Sequence, residues 1–364
     1  MSGLIVLAAG GTGGHMFPAE ALAGELLGRG VKVALVTDKR GQAFDNRLPG
    51  VALHRIRAGR PGTGVASRVL AICEIALGLL AARRILRALA PAAAVGFGGY
   101  PSVPTMMAAS RLGVPTVIHE QNARLGRANR WLAPRMKRIA ISFAQVDGLA
   151  DTDRARIAET GNPVRPAVVA EGGVLYTPPA AGAINLLVIG GSQGAHILSV
   201  VVPAALALMP AAIKARLIVL QQTRPEDLDA VRRAYDASGI RAEIATFFAD
   251  APSRMARAHL VISRAGASSV AELCVVGRPA ILVPYRHAAD DHQTANAEAL
   301  AAAGAAWVMN EHNFTPSALA QRLEILFTQP ALLAAAAASA KRHGRPDAAR
   351  RLADLVLETA GGAR

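Results

Sequence analysis

Residues 4–18 read LIVLAAGGTGGHMFP. Leu4 to Ala9 form an unbroken apolar run, the pattern of a short strand covered on both faces. Gly10, Gly11, Gly13 and Gly14 follow, enclosing Thr12, and His15 stands at the mouth of the turn. Pro18 suits the first turn of a helix, where its missing N–H costs nothing. Strand, glycine turn and helix start together lay backbone N–H groups around a phosphate. Alone, such a turn is equally well a tight strand–helix connection with an incidental histidine.

A second turn of the same kind changes the weighing. Residues 184–196, INLLVIGGSQGAH, repeat the grammar half a chain later. Gly10 aligns with Gly190, Thr12 with Ser192 and Gly14 with Gly194. His15 aligns with Ala195, so the halves share a fold and differ in chemistry. His196, one place on, suits a helix or phosphate-side role better than that of a base.

Between and after these turns, short apolar runs alternate with helical patterns. Strands are expected near 31–36, 51–56, 93–97, 115–118 and 138–141, then near 183–189, 216–220, 241–246, 260–262, 280–283 and 306–309. Helices are expected near 18–29, 65–89, up to 111, near 125–132 and near 347–358. Regular alternation predicts doubly wound parallel sheets in an α/β protein. Polar residues collect at the strands' carboxyl ends, where such sheets bind ligands. The breaker-rich stretch TGNPVRP, 160–166, predicts a boundary. The expected domains are 1–163, joined by the helix within 346–364, and 164–345.

The 364 residues suffice for two domains with their own cores. A net charge of +14 favours anionic partners: nucleic acid, acidic lipid or phosphorylated ligands. Aromatic residues make up 4%, and no basic run is interleaved with them, so a base-stacking surface is not expected. Cys73 and Cys274 fall in different halves and suit reduced thiols. The chain enters its first strand almost at once, which leaves no room for a signal peptide. Residues 69–82 lie between Arg68 and Arg83 and contain Glu74, short of the roughly 20 apolar residues a spanning helix needs. The 65–89 helix, with Arg68, Arg83, Arg84 and Arg87, suits a core helix whose outer face rests on acidic headgroups.

A nicotinamide fingerprint fails at Met16, where GxGxxG needs glycine, and Asp38 alone does not restore it. Residues 263–272, SRAGASSVAE, follow a strand and open a helix whose backbone N–H groups suit a diphosphate. Glu272 would accept hydrogen bonds from both hydroxyls of a ribose. Asp290, Asp291, His292 and Gln293 open another helix: two caps, then two neutral groups suited to sugar hydroxyls. No HxxxH, CxxC or DxD cluster occurs, so no tightly bound cofactor or protein metal site is expected, which leaves a divalent cation an assisting role at most.

Six motifs in order, GGTGGHMFPA (10–19), GFGGYPSVP (96–104), HEQNA (119–123), GNPVR (161–165), GGSQGA (190–195) and SRAGASSVAEL (263–273), resemble the MurG family of bacterial N-acetylglucosaminyltransferases. The resemblance covers nearly the whole chain. It implies a GT-B fold, two Rossmann-like domains around a cleft. The implied donor is UDP-N-acetylglucosamine. The implied acceptor is lipid I, undecaprenyl-diphospho-N-acetylmuramoyl-pentapeptide, which becomes the peptidoglycan precursor lipid II with inversion at the anomeric carbon. It further implies peripheral attachment to the cytoplasmic face of the inner membrane, an anionic surface, and no nucleic-acid partner.

By motif, Gly13, Gly14, His15, Tyr100 and Ser102 would face the acceptor. Thr12, Gly13, Gly14, Asn122, Arg165, Gly191, Ser192, Gln193, Arg264, Gly266, Glu272, His292 and Gln293 would contact the donor. His15 would be the catalytic base, with His119 and Glu120 as competitors just past a strand end. Two alternatives stand beside this reading. A UDP-N-acetylglucosamine 2-epimerase shares the paired architecture, and the charge alone permits a nucleic-acid-binding protein.

Overall fold

The computed structural model describes residues 3–10, 13–38, 50–59, 64–191 and 194–362. Thr12, Ser192 and Gln193 therefore lie outside the described residues. The chain divides into two units, Met1–Arg165 with Arg345–Arg364, and Pro166–Gly344.

The first unit runs β1 (Ile5–Ala8), α1 (Gly13–Gly28), β2 (Val33–Thr37), β3 (Ala52–Arg55), α2 (Val65–Leu89), β4 (Ala93–Gly96), α3 (Ser102–Arg111), β5 (Thr116–Glu120), α4 (Arg127–Leu132), β6 (Arg138–Ile141) and β7 (Ile157–Glu159). The second runs α5 (Pro166–Glu171), β8 (Ile184–Ile189), α6 (His196–Ala207), α7 (Ala211–Lys214), β9 (Leu217–Gln222), α8 (Leu228–Ser238), β10 (Arg241–Ala245), α9 (Ala251–Arg257), β11 (Leu260–Ser263), α10 (Ala267–Val276), β12 (Ala280–Leu282), α11 (His292–Ala302), β13 (Ala306–Val308), α12 (Pro316–Thr328) and α13 (Pro330–His343). The last helix, α14 (Ala348–Gly361), returns to α1, where Arg29 Nη1 meets Asp354 Oδ1 at 2.6 Å.

Every strand pairing within the two sheets is parallel. The orders are β3-β2-β1-β4-β5-β6-β7 and β10-β9-β8-β11-β12-β13. Each sheet reverses direction beside the strand that precedes a glycine turn, between β1 and β4 and between β8 and β11. Those two switch points are where open parallel sheets leave a crevice for ligands.

The apolar run of β1 serves two layers at once. Ile5 and Leu7 face Met16, Leu22 and Leu26 of α1 and Leu352 and Val356 of α14. Val6 and Ala8 face Leu86 of α2 and Met106 of α3. Each fully buried Leu or Met here contributes about 1.5–3 kcal/mol of transfer free energy. In the second unit β8 packs Ile184, Leu186 and Val188 against α6 and α12 through Leu198, Val202, Leu319 and Leu323.

Two local expectations are corrected, and one strand was not foreseen. The first helix begins at Gly13, so Pro18 is its sixth residue and not a first-turn proline. Burial of Met16 in the core and a side-chain bond from His15 pull the first turn into helix, and the proline forfeits only the bond to the Gly14 carbonyl. Strand β5 continues through Glu120, so His119 and Glu120 lie inside it and both are buried. The edge strand β7 has no apolar run to announce it.

Candidate active site

The crevice of the first sheet is closed by two turns in backbone contact. A Cβ on Gly99 would sit 3.0 Å from the Gly10 carbonyl oxygen, and one on Gly10 would sit 2.6 Å from Pro101. Gly98 and Gly99 have φ of +83° and +73°, so only glycine lets the turn after β4 approach the turn after β1. The His15 ring lies against this turn, with Cε1 3.4 Å from where a Gly98 side chain would begin.

His15 is half-buried, and its Nδ1 is 3.2 Å from Gln121 Oε1. Gln121 Nε2 reaches His119 Nδ1 and the His119 carbonyl, both at 3.0 Å. His119 Nε2 is 2.9 Å from the Gly161 carbonyl. Burial drives the His119 pKa down from 6.5 to about 4; the bond to Gly161 opposes this and the nearby His15 adds to it. His119 is thus a neutral, embedded imidazole and not a competing base.

Glu120 is no base either. Its Oε1 accepts from the backbone N and Nδ2 of Asn122, both at 3.0 Å, and its Oε2 accepts from Gly126 N at 3.0 Å and Asn129 Nδ2 at 2.8 Å. A carboxylate holding four donors fixes the loop 121–126. Asn122, expected at the donor sugar, is held by that carboxylate. Ser102, expected on the acceptor side, is buried, and its hydroxyl donates to the Gly99 carbonyl at 2.8 Å. Tyr100 stays half-buried beside it. Arg165 falls in the first unit, its guanidinium 5.3 Å from the centre of the Phe17 ring of α1.

In the second sheet the turn after β8 carries Gly191 at φ +83° and Gly194 at +66°. A Cβ on Gly190 would come within 2.4 Å of the Ala195 nitrogen, so that glycine is required by the turn itself. Gly191 has open space around its Cβ position. His196 opens α6 and bonds Asp227 Oδ1 at 2.7 Å, a helix-start role.

Across the switch point, Gly266 precedes the first residue of α10. Its φ is −63° and nothing lies within 4 Å of where a Cβ would be. Neither backbone nor packing demands glycine there. The open volume lies before the N-terminus of a ten-residue helix, the place where an anion is stabilised. Asn296 Nδ2 braces this loop through the Ala265 carbonyl at 3.0 Å. Glu272 lies in the second turn of α10 and is buried.

Arg264, expected at the donor, is held from within its own unit. Its Nη1 meets Glu311 Oε1 at 2.6 Å and the carbonyls of Val283 and Pro284 at 3.1 and 3.3 Å. It ties the loops after β11 and β12 together, and Glu311 was not foreseen. Asp290 and Asp291 are not simple caps: both are left-handed, with φ of +53° and +52°, and Asp291 accepts from the Thr294 hydroxyl at 2.6 Å. Gln293 Oε1 accepts from Tyr285 N at 3.0 Å, and half-buried His292 stands at the start of α11. No cluster of three or more metal-ligating side chains occurs among the described residues.

The glycosyltransferase family 28 N-terminal domain matches residues 5–141, and the family 28 C-terminal domain matches 185–352. A protein of Rhodospirillum centenum is 57% identical over 98% of this chain and 94% of its own length. It is named UDP-N-acetylglucosamine–N-acetylmuramyl-(pentapeptide) pyrophosphoryl-undecaprenol N-acetylglucosamine transferase. The chain belongs to the MurG family. The crystal structure of MurG from Acinetobacter baumannii superposes with a TM-score of 0.81 at 28% identity, covering 98% of this chain and 99% of that one. This MurG-family chain therefore has the GT-B fold. The UDP-GlcNAc 2-epimerase of Neisseria meningitidis, with a TM-score of 0.67 at 12% identity over 98% of this chain and 100% of its own, shares the fold alone.

Proposed function

We propose that the protein is an inverting hexosyltransferase that moves N-acetylglucosamine from UDP-N-acetylglucosamine to the 4-hydroxyl of N-acetylmuramic acid in undecaprenyl-diphospho-MurNAc-pentapeptide. Gly266 carries the donor part of this reading. It is glycine with no internal reason, before a helix N-terminus at a switch point, with buried Glu272 one turn behind. A diphosphate fits before the helix and the ribose hydroxyls fit the carboxylate. Gly191 offers the same open approach on the β8 side.

The first unit supplies the acceptor side. An inverting transfer is one displacement, so the sugar hydroxyl loses its proton as the new bond forms. His15 takes that proton; an imidazole near neutral pKa suits the task. Gly13 and Gly14 in the first turn of α1, with Tyr100, line the approach. Charge developing on UDP is met by the N-termini of α6 and α10. Adding a lipid I analogue to the protein with UDP-N-acetylglucosamine should release UDP with a one-to-one disaccharide product. Formation of 2-epimerised sugar nucleotide without acceptor would overturn the transferase reading in favour of the epimerase.

A lipid-borne acceptor requires a membrane surface. No single helix among the described residues is long and apolar enough to cross one. Helix α2 instead exposes Leu70, Cys73, Leu77 and Leu80 at helical spacing, and the same face continues into Arg84 and Arg87. Apolar residues that lead into arginines suit peripheral attachment to anionic headgroups on the cytoplasmic face. Vesicle co-sedimentation should rise with anionic lipid, fall with salt, and weaken in Leu77→Glu/Leu80→Glu. Equal binding to neutral and anionic vesicles would remove the electrostatic part of this attachment.

A further inference from the structure

We propose that Gln121 and His119 act as positioning residues that set the tautomer of His15, so that Nδ1 carries the ring proton and Nε2 faces the substrate hydroxyl as acceptor. The proposal rests on the reading of His15 as the base. It follows from a chain of three hydrogen bonds whose direction is fixed at its far end.

The Gly161 carbonyl can only accept, so His119 Nε2 must carry a hydrogen. Ser142 Oγ, 3.5 Å from the same nitrogen, donates its own hydrogen to the Glu120 carbonyl and so asks for the same His119 tautomer. Being neutral, His119 then has a lone pair on Nδ1. The group opposite that lone pair must be a donor, which orients the Gln121 amide with its NH2 toward His119. The His119 carbonyl, also 3.0 Å away, accepts the second hydrogen of that NH2. The Gln121 oxygen is left facing His15, and an oxygen of an amide can only accept. His15 Nδ1 therefore donates.

Neutral histidine in water favours the opposite tautomer, with the proton on Nε2. Without the relay a large part of the population would present N–H, not a lone pair, to the attacking hydroxyl. A carboxylate behind a catalytic imidazole fixes the tautomer and also stabilises the imidazolium. An amide fixes the tautomer with no added charge. Burial keeps the relay single-valued: His119 and Gln121 are 0% and 1% exposed, so water does not compete for their hydrogen bonds.

The test uses the full chain with 15N-labelled histidine and long-range 1H–15N correlation spectra above the titration range of His15. His15 signals are assigned by their loss in His15→Gln. The expected result is an Nδ1–H pattern for His15 in the wild type. Gln121→Met, similar in size and without an acceptor, should move His15 toward Nε2–H. It should also lower kcat for UDP release about 10-fold or more, with KM for UDP-N-acetylglucosamine unchanged. Gln121→Glu keeps an acceptor for Nδ1 and should keep the Nδ1–H pattern. An Nε2–H pattern in the wild type overturns the relay even if Gln121→Met does not fold, and so does an unchanged pattern in folded Gln121→Met. A folded, fully active His15→Ala variant would instead overturn the base role on which the relay rests and leave the spectra as they are.

Discussion

Both units end a switch-point strand in a glycine turn, yet α1 begins at Gly13 and α6 at His196. Aligned on Gly10 and Gly190, His196 corresponds to position 16, so the first helix starts three residues earlier. The early start draws His15 into helix and holds its ring between Gly98–Gly99 and Gln121. The later start leaves a longer turn with two left-handed glycines and Ala195 where the imidazole would be. On the proposed reading, one turn delivers a side chain and the other backbone N–H groups, so a repeated fold separates proton transfer from anion binding by the place at which a helix begins.

The sharpest way to break that contrast is to remove the delivered side chain. His15→Ala should lower kcat for UDP release by about 10²- to 10⁴-fold, the range for loss of a general base. UDP affinity by calorimetry should hold, because the proposed UDP contacts lie chiefly after β8 and β11. Adding Ala195→His to this variant should restore nothing, since Ala195 lies in extended backbone just before α6, whereas His15 stands inside the first turn of α1. Near-normal kcat in folded His15→Ala would end the contrast.

The first turn also rests on a buried imidazole, whereas His196 in the second is exposed. His119 titrates near 4 in the folded chain against 6.5 when unfolded. Between those values the unfolded chain binds a proton that the folded chain refuses. Stability therefore falls as pH drops from 6.5 toward 4 and levels off below. The full effect is about 3 kcal/mol. His119→Gln keeps a donor for the Gly161 carbonyl and does not titrate, so its stability should be flatter across this window. Urea unfolding at pH 7 and pH 4.5 measures the difference, and parallel acid slopes in the two proteins would count against a neutral, buried His119.

Much of this was legible in the sequence because strands covered on both faces leave unbroken apolar runs. Residues 65–89 were read as one helix, and α2 has those bounds. The pairing of the two glycine turns was legible from spacing alone. What escaped was whatever depends on partners distant in sequence. The start of α1 is set by the packing of Met16 and the reach of His15 to Gln121, against the local signal of Pro18. Glu120 looked like a base and is a loop clamp, because Asn129 and Gly126 turn back onto it. Arg264 was expected to contact the donor, and its ion pair with Glu311, on a loop distant in sequence, left no local signal. The alternation of HEQN was the one available signal for the relay: in an extended segment His119 and Gln121 share a side, while Glu120 takes the other.

The smallest expected effect sharpens the other half of the contrast. If the second unit binds UDP mainly through backbone, its one decisive side chain is Glu272, which accepts from the ribose hydroxyls. Glu272→Ala should weaken UDP binding by about 1.5–3 kcal/mol, or roughly 10- to 150-fold, the worth of charge-assisted hydrogen bonds. Glu272→Gln keeps an acceptor and loses the charge, so its affinity should fall between the two. The ribose assignment makes a further demand. Wild type should prefer UDP over 2′-deoxy-UDP, and Glu272→Ala should bind both alike, because the hydroxyl then has lost its partner. Calorimetry with the two nucleotides decides the matter. Unchanged UDP affinity in Glu272→Ala, or a preference for the ribonucleotide that survives the substitution, would place the ribose elsewhere and leave Gly266 to hold the diphosphate without help from the carboxylate behind it.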